Sequence, residues 1–258
     1  MVWEVEHIGA CTLYRGDCAQ ILPDLPEVDH LVTDPPWEVS GTQPPRALPH
    51  LGPRRDLSKG LAKDSLGRWQ LALLCACVDR CRGDAFIVAG FRELGPLITG
   101  LAYYRGTFGW HKPNGCPAFL FPARLDLAFI VWAAKKSALY GYQHWPSMVF
   151  RAAVPQAGCL ASERYVDASG KAIHPAQGPL LLYRALLRPL PRGVCLDPFM
   201  GTGTTGVACV EQGRGFIGIE LDQRYFDLAC QRIERAEAQA DLFVPQPSLP
   251  TQLTMEMP

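Results

Sequence analysis

No apolar run of about 18 residues occurs in this chain, and its first residues, Met1-Val2-Trp3-Glu4, carry no basic-then-apolar segment. Those two absences argue against a membrane-spanning helix and a secretory leader and predict a cytoplasmic protein. Neither sign of charge is in excess: 25 basic side chains face 25 acidic ones among 258 residues. A general cationic coat for nucleic acid is therefore missing, and any contact with a polyanion has to be local. A metal-ligand pattern is missing as well. Many of the ten cysteines fall inside apolar runs, where they serve as small hydrophobes. Cys75, Cys77 and Cys81 lie close together, but a helix spreads them over different faces and no matching Cys or His pair follows. No metal site is expected. Internal repeats are absent too, whereas the apolar content of 48% is enough for a real core.

The most informative stretch is Thr33-Asp34-Pro35-Pro36-Trp37, at the end of the run Asp29-His30-Leu31-Val32. An aliphatic run stopped by two prolines reads as a buried strand ending in a rigid turn. Each proline forces the residue before it into an extended backbone and withholds a backbone N–H. The Asp34 and Pro35 carbonyls are then left to accept hydrogen bonds from elsewhere. A carboxylate, open carbonyls and an indole at the carboxyl edge of a sheet, where open α/β sheets hold ligands, suit a planar substrate bearing an amino group. A plain loop after a strand is the alternative.

Strands are expected at 11–15, up to Asp34, and at 84–89, 103–111, 125–133, 194–197 and 215–220. Helices are expected at 18–22, 64–81, 91–102 with an interruption at Pro96, 175–187, 204–212 and 223–240. In the last of these Arg232, Glu234, Arg235 and Glu237 are expected to face water. The alternation predicts an α/β fold, its sheet mostly parallel with helices on both faces, and strands 103–111 and 125–133 forming an antiparallel hairpin. One domain over 1–240 follows, with a Pro- and Gln-rich tail, 241–258, expected to be disordered. The segment 38–68 is a long basic loop, read as mobile until a partner binds, or as plain solvated surface.

A second motif, Asp197-Pro198-Phe199-Met200-Gly201-Thr202-Gly203-Thr204-Thr205-Gly206, lies between a strand and a helix, with Glu220 closing the next strand. Its glycines match G-x-G-x-x-G, which lets a backbone turn tightly beside a ligand and leaves helix N–H groups available. Alone the pattern is weak, and a nicotinamide-dependent oxidoreductase is the obvious rival. Against that rival, Asp197 would sit near a pyrophosphate and repel it. Only about fifty residues follow Gly206, too few for a dinucleotide domain unless earlier strands complete the sheet. An acidic, glycine-lined pocket favours an adenosyl group without phosphates, and S-adenosylmethionine, with its sulfonium and ammonium, fits.

Together Gly16-Asp17-Cys18, Thr33-Asp34-Pro35-Pro36-Trp37, His174-Pro175-Ala176-Gln177, Asp197 through Thr205 and Gly218-Ile219-Glu220-Leu221-Asp222 resemble the exocyclic-amino DNA methyltransferases in their β-type, permuted order. The likeness spans roughly 12–37 and 172–235. It implies a Rossmann-like methyltransferase sheet, with a catalytic half at about 10–135 and a cofactor half at 172–240. By that resemblance, Asp17, beside Cys18, bonds the cofactor adenine and Glu220 the ribose hydroxyls, with Leu221 and Asp222 following it. Asp197, Pro198 and the turn through Gly201, Thr202, Gly203, Thr204 and Thr205 face the methionine part, with Phe199 beside it. His174, Pro175 and Gln177 open a helix that closes over the cofactor. Asp34, also near the cofactor, and Pro35, Pro36 and Trp37 take the target base. Two positions depart from the family: Gly178 stands where lysine is usual, and Trp37 where tyrosine is usual. Tryptophan there also occurs in eukaryotic RNA adenine methyltransferases.

The expected reaction is methyl transfer from S-adenosylmethionine to the amino group of a base flipped out of double-stranded DNA. Cytosine-N4 members of the family mostly place Ser before Pro-Pro and adenine-N6 members mostly Asp, so Asp34 favours adenine; cytosine, RNA adenine and a non-catalytic nucleic-acid-binding module are the alternatives. Candidate nucleic-acid contacts are Arg46, Arg54, Arg55, Lys59 and Lys63 in the basic loop, Lys112 on the target side, and Tyr142, His144, Arg151 and Arg164 in a target-recognition segment at 135–171. The small size predicts a short target or a homodimer sharing the duplex. No nuclease motif is visible, which fits a solitary bacterial or phage enzyme.

Overall fold

The computed structural model describes residues 3–36, 68–113, 127–136, 149–154 and 177–241. One nine-stranded sheet dominates it. In chain order its strands are β1 (Glu4–Ile8), β2 (Cys11–Arg15), β3 (His30–Thr33), β4 (Asp84–Ala89), β5 (Tyr104–His111), β6 (Leu127–Ala134), β7 (Val149–Arg151), β8 (Val194–Asp197) and β9 (Gly215–Glu220). They lie side by side as β1-β2-β9-β8-β3-β4-β6-β5-β7. The five central strands β2, β9, β8, β3 and β4 are mutually parallel, while β6 runs antiparallel to both β4 and β5. The expected hairpin of β5 and β6 is present; β6, not β5, is the strand laid against β4. Two short strands were not expected, namely β1, antiparallel at one edge, and β7, parallel to β5 at the other.

The helices are α1 (Cys18–Ile21), α2 (Arg68–Arg80), α3 (Phe91–Gly100), α4 (Leu180–Leu187), α5 (Thr204–Glu211) and α6 (Gln223–Asp241). Central strands with a helix layer on each side must be apolar on both faces, and β4 shows how. Its Phe86 and Val88 join the core under α4, α5 and α6, while Ala85, Ile87 and Ala89 join the core under α1, α2 and α3. Among the described residues no helix is long and apolar enough to cross a membrane.

Three details differ from expectation. Helix α3 runs unbroken through Pro96; Thr99 Oγ1 donates to the Gly95 carbonyl at 3.0 Å just beyond it. Helix α4 begins only at Leu180, after an extended Pro179. Arg232 does not face water. It is 7% exposed, among Ile233, Ala229 and Ala236 on the inner side of α6, whereas Glu234 and Arg235 are exposed.

Candidate active site

The parallel strands all end at one edge, and the order β2-β9-β8-β3 sets their last residues in a row: Arg15, Glu220, Asp197 and Thr33. Neighbouring strands stand about 4.8 Å apart, so the row spans roughly 14 Å. Asp17 follows β2 and Asp34 follows β3. The two motifs, far apart in the chain, therefore occupy adjacent positions, since Leu31 of β3 pairs with Leu196 of β8.

Asp197 joins them. Its carboxylate, 3% exposed, accepts from Thr33 Oγ1 at 2.7 Å, Thr205 Oγ1 at 2.6 Å and the Phe199 N–H at 3.1 Å. Burial pushes its pKa up to about 6, against the pull of those three donors. The carboxylate also sits at the N-terminus of α5, where the helix dipole favours negative charge. That place is thus taken, which weighs against a pyrophosphate there.

Gly201 and Gly203 have positive φ, +53° and +77°, a conformation that side chains with a Cβ rarely adopt. Gly203 is also packed tightly; a Cβ there would lie 2.9 Å from that of Ala229, and one on Gly206 would lie 2.5 Å from Ile233 Cδ1. Arg232 reaches in from α6 and donates through one nitrogen to the Thr202 carbonyl at 2.5 Å, Thr202 Oγ1 at 2.9 Å and Thr204 Oγ1 at 3.1 Å. Glu220 accepts the Gly201 N–H at 3.0 Å and the Asp222 N–H at 2.7 Å. Burial raises its pKa while those N–H groups lower it. Leu221 beside it is 62% exposed, a large apolar side chain open at the carboxyl edge of the sheet. Asp222 opens α6, accepting the Arg224 N–H at 2.9 Å. Asp17 caps α1, accepting the Ala19 N–H at 2.9 Å. Cys18 is buried, with its thiol pKa pushed well up by burial. Pro198, Thr202, Thr204 and Thr205 are buried, and Phe199 is half-buried against the α1–α3 side.

At the other turn Asp34 is half-buried, Pro35 buried and Pro36 exposed. Two groups feel the Asp34 charge: Lys112, whose pKa burial lowers and Asp34 raises, and Tyr183 of α4, whose pKa burial raises, with Asp34 and Asp197 adding to it. Lys112 Nζ lies 4.8 Å over the Trp110 ring, and Trp110 is itself buried and donates to the Ala152 carbonyl at 2.8 Å. Arg151 is exposed at the end of β7, level with His111. Gln177 is buried just before α4. Gly178 has a direct physical reason: a Cβ there would stand 2.6 Å from the Tyr183 hydroxyl, so the tyrosine fills the space a lysine stem would need.

Trp37, Arg46, Arg54, Arg55, Lys59, Lys63, Tyr142, His144, Arg164, His174 and Pro175, together with the tail from 242, lie outside the described residues. Three residues here were missed as contributors to the site: Gln70, Tyr183 and Arg232. None of the three stands out in the sequence: Gln70 donates to the Pro36 carbonyl, Tyr183 fills the space beside Gly178 and Arg232 ties the Thr202–Thr204 turn only once their helices are packed.

The sequence profile of a DNA methylase family matches residues 102–231. The Type II methyltransferase M.HinfI of Haemophilus influenzae is 38% identical over 247 residues, covering 86% of this chain and 68% of that protein. Among solved structures, the M1.HpyAVI–SAM complex superposes with a TM-score of 0.61 at 23% identity, covering 86% of this chain and 98% of that one. The PvuII DNA methyltransferase (cytosine-N4-specific) gives 0.64 at 17% identity, covering 90% and 92%. At those identities the two structures speak for the fold.

Proposed function

Because this chain belongs to the DNA methylase family of N6/N4 exocyclic-amino methyltransferases, we propose that it methylates the N6 amino group of adenine in double-stranded DNA. The observation that carries this reading is the seating of the Asp34 turn beside the glycine turn at one sheet edge, bridged by the Thr33–Asp197 bond.

The residues present suit S-adenosylmethionine. Glu220 accepts backbone N–H groups of Gly201 and Asp222 and still keeps acceptor capacity for a ribose hydroxyl. Leu221 offers an open apolar surface for an adenine face, and Asp17 a carboxylate one strand further along. The left-handed glycines let the backbone through Gly201 approach a ligand closely. When bound, S-adenosylmethionine supplies an electrophilic methyl group on a sulfonium centre.

The rest is positioning by the chain. An aromatic amino nitrogen attacks poorly because its lone pair is spread into the ring. The Asp34 carboxylate and the Pro35 carbonyl accept its two N–H groups, draw it toward a tetrahedral shape and localise that lone pair. As the nitrogen becomes cationic, the Asp34 charge compensates it in a partly water-excluded site. Trp37 gives the flipped base a stacking face that offsets part of the few kcal/mol of unstacking. Lys112 and Arg151, at the carboxyl edge beyond β4, are the candidates for phosphate contact on the target side. Asp rather than Ser ahead of the prolines supports adenine over cytosine.

Transfer of tritiated methyl groups from S-adenosylmethionine to unmethylated duplex DNA, followed by nucleoside analysis, tests this. The expected product is N6-methyladenine. N4-methylcytosine would move the assignment to the other base, and labelling of RNA alone would replace the substrate. Cofactor binding without transfer to either would leave a nucleic-acid-binding module.

A further inference from the structure

With two consecutive prolines, the turn after β3 has no backbone donor at Pro35 or Pro36 with which to tie itself down. The anchor comes from 34 residues further along. Gln70, in the first turn of α2, is 2% exposed, and its Nε2 donates to the Pro36 carbonyl at 2.6 Å. The inward side of that helix is otherwise Leu73, Leu74, Cys77 and Val78. A carboxamide buried on such a face is costly unless it is bonded, and here the bond runs to the residue beside the one whose carbonyl is to receive the substrate.

We propose that Gln70 is a positioning residue for the target-base turn. With φ of Pro36 locked by its ring, holding the Pro36 carbonyl restricts how the preceding peptide can turn and so the direction of the Pro35 carbonyl. It also occupies one lone pair of the Pro36 oxygen, which makes that oxygen a weaker competitor for the amino group. Gln70 acts through the turn, and the cofactor row on β2, β9 and β8 is left untouched. The inference rests on the methyl-transfer reading above.

Two variants test it, Gln70→Met, which keeps the volume and removes the donor, and Gln70→Glu. Gln70→Met is expected to lower kcat on DNA by about 10- to 100-fold, the scale of a small misplacement of reacting groups. Its S-adenosylmethionine Kd, measured by calorimetry, stays within twofold of wild type. In Gln70→Glu the protonated acid can donate to the carbonyl and the carboxylate cannot. The ratio of its kcat to that of wild type therefore rises as pH falls through the titration of that carboxyl, whose pKa burial raises. A Gln70→Met kcat within twofold of wild type, a parallel loss of cofactor affinity, or a pH-independent ratio overturns the proposal. The carbonyl 13C resonance of Pro36 in proline-labelled protein reads the anchor without turnover. It shifts in Gln70→Met; an unmoved resonance means there is no anchor, whereas absence of methyl transfer by the wild type counts against the methyl-transfer reading instead.

Discussion

Two turns close the same sheet edge, and they are held in opposite ways. The turn through Gly201 and Gly203 is held by its own surroundings: Asp197 accepts three bonds, Glu220 two backbone N–H groups, and Arg232 donates to three oxygens. The Asp34-Pro35-Pro36 turn is held by neutral side chains, Gln70 at its far end and the Thr33 hydroxyl at its near end. Under the proposed function, the difference follows from what each would bind. A pocket for a constant ligand can complete its own hydrogen bonds and be rigid beforehand. A pocket that polarises an amino group has to keep acceptors for the incoming N–H groups, and prolines keep them by supplying no donors.

If the proline turn does the chemistry and the glycine turn the holding, substitutions should separate the two. The largest effect is expected for Asp34→Ala: kcat falls by about 10³-fold, the scale of losing one preorganised charge at a developing centre, while cofactor Kd changes by no more than about threefold. Next is Arg232→Met on the glycine side. It leaves the Thr202 carbonyl and two hydroxyls short of a donor and is expected to cost about 2 kcal/mol in urea unfolding. Its cofactor affinity falls, and its kcat at saturating cofactor stays near that of wild type.

Gly178→Lys is expected to lower Tm by several degrees, because its Cβ meets the Tyr183 ring and overpacking of this kind costs about 1–3 kcal/mol. Adding Tyr183→Leu removes the ring and should restore most of the loss; a double variant as unstable as the single one would show that the clash is not the cause. The smallest effect is a pH dependence. Burial lifts the Asp197 pKa from 3.8 to about 6, so the folded chain holds that proton more tightly than the unfolded chain does. The contribution is present in full below about 4 and is lost as pH rises through about 6. Unfolding free energies of wild type and Asp197→Asn should therefore diverge between pH 4 and 7, with wild type falling relative to the variant. Parallel curves would place the proton elsewhere.

Both turns, and the sheet that brings them together, could be read in the sequence because each rests on local chemistry. Proline fixes φ, left-handed bends select glycine, and apolar runs alternate with amphipathic ones. What could not be read depends on approach in three dimensions. Glu4–Ile8 is largely exposed and only three residues make β7, so neither carries the apolar signal of a central strand. Arg232 looks like the other charges of α6, and only the helix's rotation against Ala208 and Phe216 turns it inward. Gly178 stands out as a departure from a family pattern, yet its reason lies in the ring of Tyr183, in the helix that follows. Gln70 is silent until α2 is laid against the end of β3.

The most direct test of the account measures methyl transfer and cofactor binding together in wild type and Asp34→Ala, using tritiated S-adenosylmethionine with unmethylated duplex DNA and calorimetry on the same preparations. The account predicts labelled N6-methyladenine from wild type, almost none from Asp34→Ala, and closely similar cofactor Kd values for the two. Wild-type rates in Asp34→Ala, or loss of cofactor binding in step with loss of transfer, would contradict it.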